Sequence, residues 1–135
     1  MTNEISYRDT VVIEEKAHEI YKQFTEGNNT QSVPFRTMKD VFMWATCLGA
    51  QQGKRRPLTG KRVTVFRWAQ FDIQVDVPLL KAIAIVDCGN VNILLNRNDI
   101  LSLIEEYANG GIYDLHNILM GERRQPLWNL VEILS

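Results

Sequence analysis

Reactive side chains are scarce in this chain of 135 residues, which holds two cysteines and two histidines. Cys47 and Cys88 stand 41 residues apart in apolar segments, without Cys-x-x-Cys spacing or an adjoining histidine pair. That arrangement argues against a zinc site or a disulfide framework and for buried thiols. His18 falls on the polar side of a helical pattern, and His116 has no cysteine or serine partner at a recognised spacing, so neither reads as a base or ligand. Gly49, Gly53 and Gly60 do not make a phosphate loop, because no G-x-x-x-x-G-K-[ST] spacing occurs. Net charge is lacking too: 15 Lys and Arg against 16 Asp and Glu give −1, so no overall imbalance draws the chain to a polyanion or a membrane. No apolar run reaches the length of a bilayer span, and the opening MTNEISYRD lacks the basic stretch and apolar core of a secretory signal. The expectation is a cytoplasmic protein without membrane contact.

What is present is an apolar content of 45%, enough for one core and too little chain for two ordinary domains. The sequence predicts a single helical domain over 1–135 with a frayed N-terminus at 1–9. Ile13, Ala17, Ile20, Tyr21 and Phe24 form the stripe of an amphipathic helix running from about Thr10 to Glu26. An exposed loop follows at 27–32, closed by Pro34. Thr37 and Asp40 have the spacing of a capping box, starting a helix with Met38, Val41, Phe42, Ala45 and Leu48 on one face, and Gly49 and Gly53 bracket its end. The stretch from Gly53 to Val75 has no clean period and reads as a loop with one short helical turn, with room for a strand pair within 61–75. Asp76 is placed to cap a helix carrying Leu79, Leu80, Ile83, Ala84 and Val86, apolar nearly all round and therefore central to the core. Val91 to Leu95 is a short strand or helical turn. Asn98 caps a further helix that stops at Asn109-Gly110-Gly111, Ile112 to Leu119 forms a short one, and Pro126 opens the last. The fold class expected is mainly α, a bundle of five or six helices.

One local absence stands out. Between Val41 and Phe71 there is no Asp or Glu, while Lys54, Arg55, Arg56, Lys61, Arg62 and Arg67 all fall there. The rest of the chain therefore carries −7. Such a segment sets up a local positive field that phosphates feel, and paired guanidinium forks suit phosphate or carboxylate oxygens. The alternatives are a loop that pairs with the acidic helices at 10–26 and 99–109, or an acidic protein partner. Trp68, beside Arg67, is the tryptophan best placed to stack on a base, while Trp44 and Trp128 read as packing residues. Asp72 and Asp76 near Lys81 raise a metal-dependent nuclease, against which stand the use of Asp76 as a cap and the lack of an Asp/Glu-x-Lys strand. Glu105 and Glu106 read as a solvated acidic face. No catalytic residue, metal-ligand set or cofactor is assigned.

The blocks PFRTMKDVFMWATCLGAQQGKRRPL (34–58), FRWAQF (66–71), LLKAIAI (79–85) and EEYANGGI (105–112) together resemble the DNA phosphorothioation-associated protein 4 family. The resemblance covers about 30–115 and contains no catalytic signature. It implies a bacterial protein associated with DNA sulfur modification and the restriction of foreign DNA, and it supplies no site residues. Two functions follow as expectations. One is a non-enzymatic accessory protein that binds DNA, or a DNA-modification or restriction protein, through Lys54, Arg55, Arg56, Lys61, Arg62, Arg67 and Trp68. The other is a protein-interaction subunit of a defence complex with no direct nucleic-acid contact.

Overall fold

Thr10 to Ile13 are four consecutive β-branched residues, a run that loses side-chain freedom in a helix and suits a pleated strand. In the computed structural model, which describes residues 8–26 and 35–120, they form β1 (Thr10–Glu14). β1 pairs antiparallel with β2 (Arg62–Arg67), setting Val11 against Phe66 and Ile13 against Val63, with a register irregularity between Val11 and Val12. Two expectations are corrected here. The first helix, α1 (Glu15–Thr25), starts five residues later than the periodicity suggests, and Arg62–Arg67 is a strand rather than a loop. The partner of β2 lies outside 61–75, about fifty residues upstream, where no local pattern can reveal it. The single short turn survives as a 3₁₀ turn at Trp68–Gln70.

α1 buries Ala17, Tyr21 and Phe24, as its stripe requires. α2 (Met38–Gln52) begins where expected: the Thr37 hydroxyl accepts the Asp40 N–H at 3.2 Å. It ends at Gly53, whose φ of 66° is the left-handed conformation of a C-cap, so Gly49 is interior and ends nothing. α4 is one helix of 24 residues, Arg97–Met120, running unbroken through Asn109-Gly110-Gly111 and merging the two short helices expected on either side. Gly111 serves approach instead of termination. A Cβ there would stand 2.0 Å from the Ala45 carbonyl oxygen, and one on Gly49 would stand 2.1 Å from that of Tyr107. α2 and α4 therefore cross with their backbones in contact, and each interior glycine costs about 1 kcal/mol of helix propensity to allow it.

Around this crossing Val41, Phe42 and Ala45 meet Leu101, Ile104 and Ile112 in the core. Phe42, Phe66 and Phe71 stack edge to face, with centroids 5.4 Å and 5.2 Å apart, and so fasten β2 and the turn after it. Four α-helices are described, one or two fewer than expected, and the last expected helix, from Pro126, lies outside the described residues, as do Trp128 and the 27–32 loop with Pro34. α3 (Asp76–Cys88) is followed by a second 3₁₀ turn, Val91–Leu95. Its placement is the main departure: of its apolar side chains only Leu80 and Ala84 are buried. No described helix is long and apolar enough to cross a membrane.

Candidate protein interface

The carboxylate-free segment is built into the molecule by acids from elsewhere in the chain. Lys54 Nζ lies 2.6 Å from Asp114 Oδ2. Arg55 bridges two elements, with its Nε 2.8 Å from Glu106 on α4 and its Nη1 2.8 Å from Asp87 on α3. The Arg56 guanidinium sits 5.1 Å over the Tyr113 ring, and the Arg56 N–H donates to the Glu106 carbonyl. Asn109 donates to the carbonyls of Arg56 and Pro57, so α4 presents one face, Glu106, Asn109 and Tyr113, to the whole loop. That spacing of three and seven residues is the signal in the sequence that marks the pairing.

The rest of the segment divides. Arg62 donates to the Leu58 carbonyl at 3.0 Å, while Lys61 and Arg67 are exposed and meet no acidic side chain among the described residues. Trp68 is half-buried, its ring under the Arg97 guanidinium at 4.8 Å and edge-on to Phe71 at 5.3 Å, so it is not an open stacking platform. The structure thus brings Lys54, Arg55 and Arg56 together against α4 and leaves Lys61, Arg62 and Arg67 along β2. Pairing with the acidic helix at 99–109 is met through Glu106 alone, while the other acids that hold this half, Asp87 and Asp114, lie outside that span.

Two carboxylates are inside, and one of them, Glu105, belongs to the pair read from the sequence as a solvated acidic face. Glu105 is buried, and its two carboxylate oxygens accept from Arg8 Nη2 at 2.9 Å and 2.7 Å, while Oε2 also accepts the Val12 N–H at 2.8 Å. Burial pushes its carboxyl above the ordinary value, against the lowering pull of Arg8 and the Val12 amide. Glu14 is also buried. Burial pushes it up, but the Thr59 amide and hydroxyl, with Lys16 and Arg56 nearby, hold it below the ordinary range. Both acids fix β1 and the basic loop onto α4.

Asp72 and Asp76 are equally occupied. Asp72 Oδ1 accepts the Gln74 and Val75 N–H groups at 2.7 Å and 2.9 Å, and Asp76 Oδ2 accepts the Asp72 N–H and a 2.7 Å bond from Lys39 Nζ. Val75, not Asp76, occupies the cap position of α3, and Asp76 stands in the first turn. No group of three or more His, Cys, Asp and Glu side chains suited to a metal is found among the described residues. The half-buried His116 bonds to Gln23 at 3.1 Å. Cys47 is half-buried and Cys88 is exposed, so the two thiols are not both core residues.

What the sequence reading misses is an uncovered apolar surface. Ile73, Val86 and Leu95 are more than four-fifths exposed, Val75 and Val91 nearly two-thirds, and Leu79 and Leu94 about two-fifths. All seven lie between residues 73 and 95, on α3, the turn before it and the turn after it. Scattered exposed leucines need no account, but a concentration of this kind marks a contact surface. Beside it runs a groove between α2 and α3. One cavity of about 350 Å³ lies over Tyr107 between Ala50 and Val86, and a second of about 310 Å³ lies between Met43, Trp44 and Asp76. Cys47 and Leu79 border both. α3 is clasped at each end, by Lys39 on Asp76 and by Arg55 and the Tyr107 hydroxyl on Asp87. The signal was available: a helix apolar all round has more such surface than one neighbour can cover.

Compared with known proteins, the family model described as DNA sulphur modification system-associated protein 4 matches residues 11–135. That match extends the span of the resemblance at both ends. No curated protein and no solved structure matches the chain.

Proposed function

The chain belongs to the DNA sulphur modification system-associated protein 4 family, and from that premise we propose that it serves the system as a non-enzymatic interaction subunit, working through protein contacts made by α3 and its flanking turns. The observation that carries the reading is the gathering of seven exposed aliphatic side chains between Ile73 and Leu95. Surface of this kind gains free energy when another apolar surface covers it, at about 25 cal/mol per Å² removed from water. The pairing of Lys54 with Asp114 and of Arg55 with Glu106 and Asp87 points the same way, because cations already neutralised within the chain have little left for phosphate. The test is co-expression of the tagged full chain with the DNA sulphur modification system. Capture of a protein of that system, insensitive to nuclease and lost in Val86→Glu, supports the reading. Capture that disappears with nuclease treatment, or that Val86→Glu leaves intact, contradicts it.

A second reading has one observation in its favour: Lys61, just before β2, and Arg62 and Arg67 on it are exposed, and none of the three forms an ion pair with a carboxylate among the described residues. Three phosphate contacts give a salt slope of about −3 for duplex DNA, a weak grip that high salt removes. Neutralising Lys61, Arg62 and Arg67 abolishes any such binding, whereas neutralising Lys54, Arg55 and Arg56 chiefly loosens the fold.

A further inference from the structure

The geometry points to a second protein contact, separate from α3: the outer edge of β2 takes an extended, acidic segment of a partner protein as a third strand. β1 and β2 make a sheet of two strands, so each has one edge that pairs with nothing in the sheet. On β1 that edge is closed, because the Val12 N–H points away from β2 and donates to Glu105. Val12 faces Thr64 in the register, and an amide turned away from the sheet marks a pair that exchanges no ladder bonds. The N–H and carbonyl of Thr64 therefore point outward as well, on the far side of β2. Two residues earlier the pattern repeats. Glu14 faces Arg62, and the Glu15 N–H donates to the Lys61 carbonyl just beyond that pair, so Arg62 also turns its main chain outward. Neither main chain meets a hydrogen-bond partner on that side among the described residues. Past Thr64 the edge ends: Val65 is the extra residue at the register irregularity, and the Arg67 N–H is taken by the Gln70 side chain at 3.0 Å.

The chemistry of this edge selects its occupant. A row that offers N–H and C=O groups in turn is matched on both counts by another extended main chain. Phosphate oxygens suit the amides and the cations but are repelled by the outward carbonyls, which favours a peptide over nucleic acid here. Charge then decides which peptide. Lys61, Arg62 and Arg67 are exposed, no Asp or Glu falls within 61–67, and none of the three forms an ion pair with a carboxylate among the described residues. Arg62 reaches only a neutral acceptor, the Leu58 carbonyl. Like charges set opposite one another destabilise a strand pair, so two copies of β2 repel and the cations guard the edge against indiscriminate pairing. A segment carrying Glu or Asp turns the same charges into favourable cross-strand pairs.

Titration of the full chain into a fluorescent peptide of about eight residues, glutamate alternating with threonine, tests this when combined with amide exchange followed residue by residue. The expected result is saturable binding at low salt with slowed exchange at the Arg62 and Thr64 amides, and no binding of the same peptide with lysine in place of glutamate. Thr64→Pro removes one outward N–H, which an edge strand tolerates, and keeps all three cations; it raises the dissociation constant at least about tenfold. Combined reversal of Lys61, Arg62 and Arg67 to Glu, with an unchanged circular dichroism spectrum, does the same, and it decides the matter with the two amides if Thr64→Pro fails to fold. Val86→Glu leaves the peptide affinity unaltered, so this contact and the α3 reading fail separately. Absence of binding, or binding that leaves the Arg62 and Thr64 amides as they were, overturns the inference. A short DNA duplex that displaces the peptide and binds Thr64→Pro as tightly as the unmodified chain overturns it in favour of a phosphate contact.

Discussion

α2 and α3 are helices of 15 and 13 residues with mostly apolar sequences, yet α2 buries Val41, Phe42, Met43, Ala45, Thr46 and Gly49, while α3 buries Asp76, Leu80 and Ala84. Apolar content therefore does not decide which helix enters the core. Close approach does. Gly49 and Gly111 let the α2 and α4 backbones touch, and the side chains around that crossing interlock. α3 has no counterpart to this contact. It rests on α4 through a narrow stripe and is held at its ends by polar clasps, which leaves the rest of its apolar surface outward. Surplus apolarity on a helix without a close-packing partner thus stays at the surface.

Substitutions in the two regions sharpen the contrast. The largest loss is expected at the crossing. Gly111→Ala drives a methyl against the Ala45 carbonyl, which cannot yield as a flexible side chain would, and costs about 3 kcal/mol, a fall of roughly 10 °C in Tm. Next comes Arg8→Ala, which strands the buried Glu105 carboxylate and costs about 2 kcal/mol at pH 8. Its pH dependence follows from the raised folded-state pKa of Glu105. Because the folded protein holds that proton more tightly than the unfolded chain, the associated stability is present below the unfolded value near 4.5 and is lost as pH rises through the folded one. Removing Arg8 moves the folded value higher still, so the loss measured by denaturant unfolding shrinks at pH 5 relative to pH 8. A larger loss at pH 5 contradicts this assignment.

In the outer region the effects are smaller. Arg55→Ala opens the clasp on Asp87 and Glu106. As the pair is largely exposed, its loss costs about 1 kcal/mol or less, yet amide exchange in α3 accelerates more than in α2 because the helix has little other anchorage. Val86→Glu, at a position 84% exposed, changes the unfolding free energy of the isolated subunit by less than about 0.5 kcal/mol and acts on association alone. A large intrinsic destabilisation there would show that α3 is more deeply packed than its exposure indicates.

Much of this architecture is legible in the residues. The α2 cap at Thr37, the α2 end at Gly53 and the α1 stripe follow from local chemistry. The failures share one physical cause, dependence on distant partners. Gly110 and Gly111 look like a helix stop because α2 is invisible from their neighbourhood, and β2 looks like a loop because β1 lies some fifty residues away. The basic segment is legible as a cluster but not as a strap, since its acids Asp87, Glu106 and Asp114 come from two later helices. Lys61, Arg62 and Arg67 keep the exposure the sequence suggests, whereas Trp68 is covered by Arg97.

The most direct test of a contact surface at α3 is hydrogen exchange on the full chain, first alone in dilute solution and then assembled with the co-expressed DNA sulphur modification system. The expected result is protection gained over 73–95. Protection gained along β2 while 73–95 exchanges as before would contradict the account.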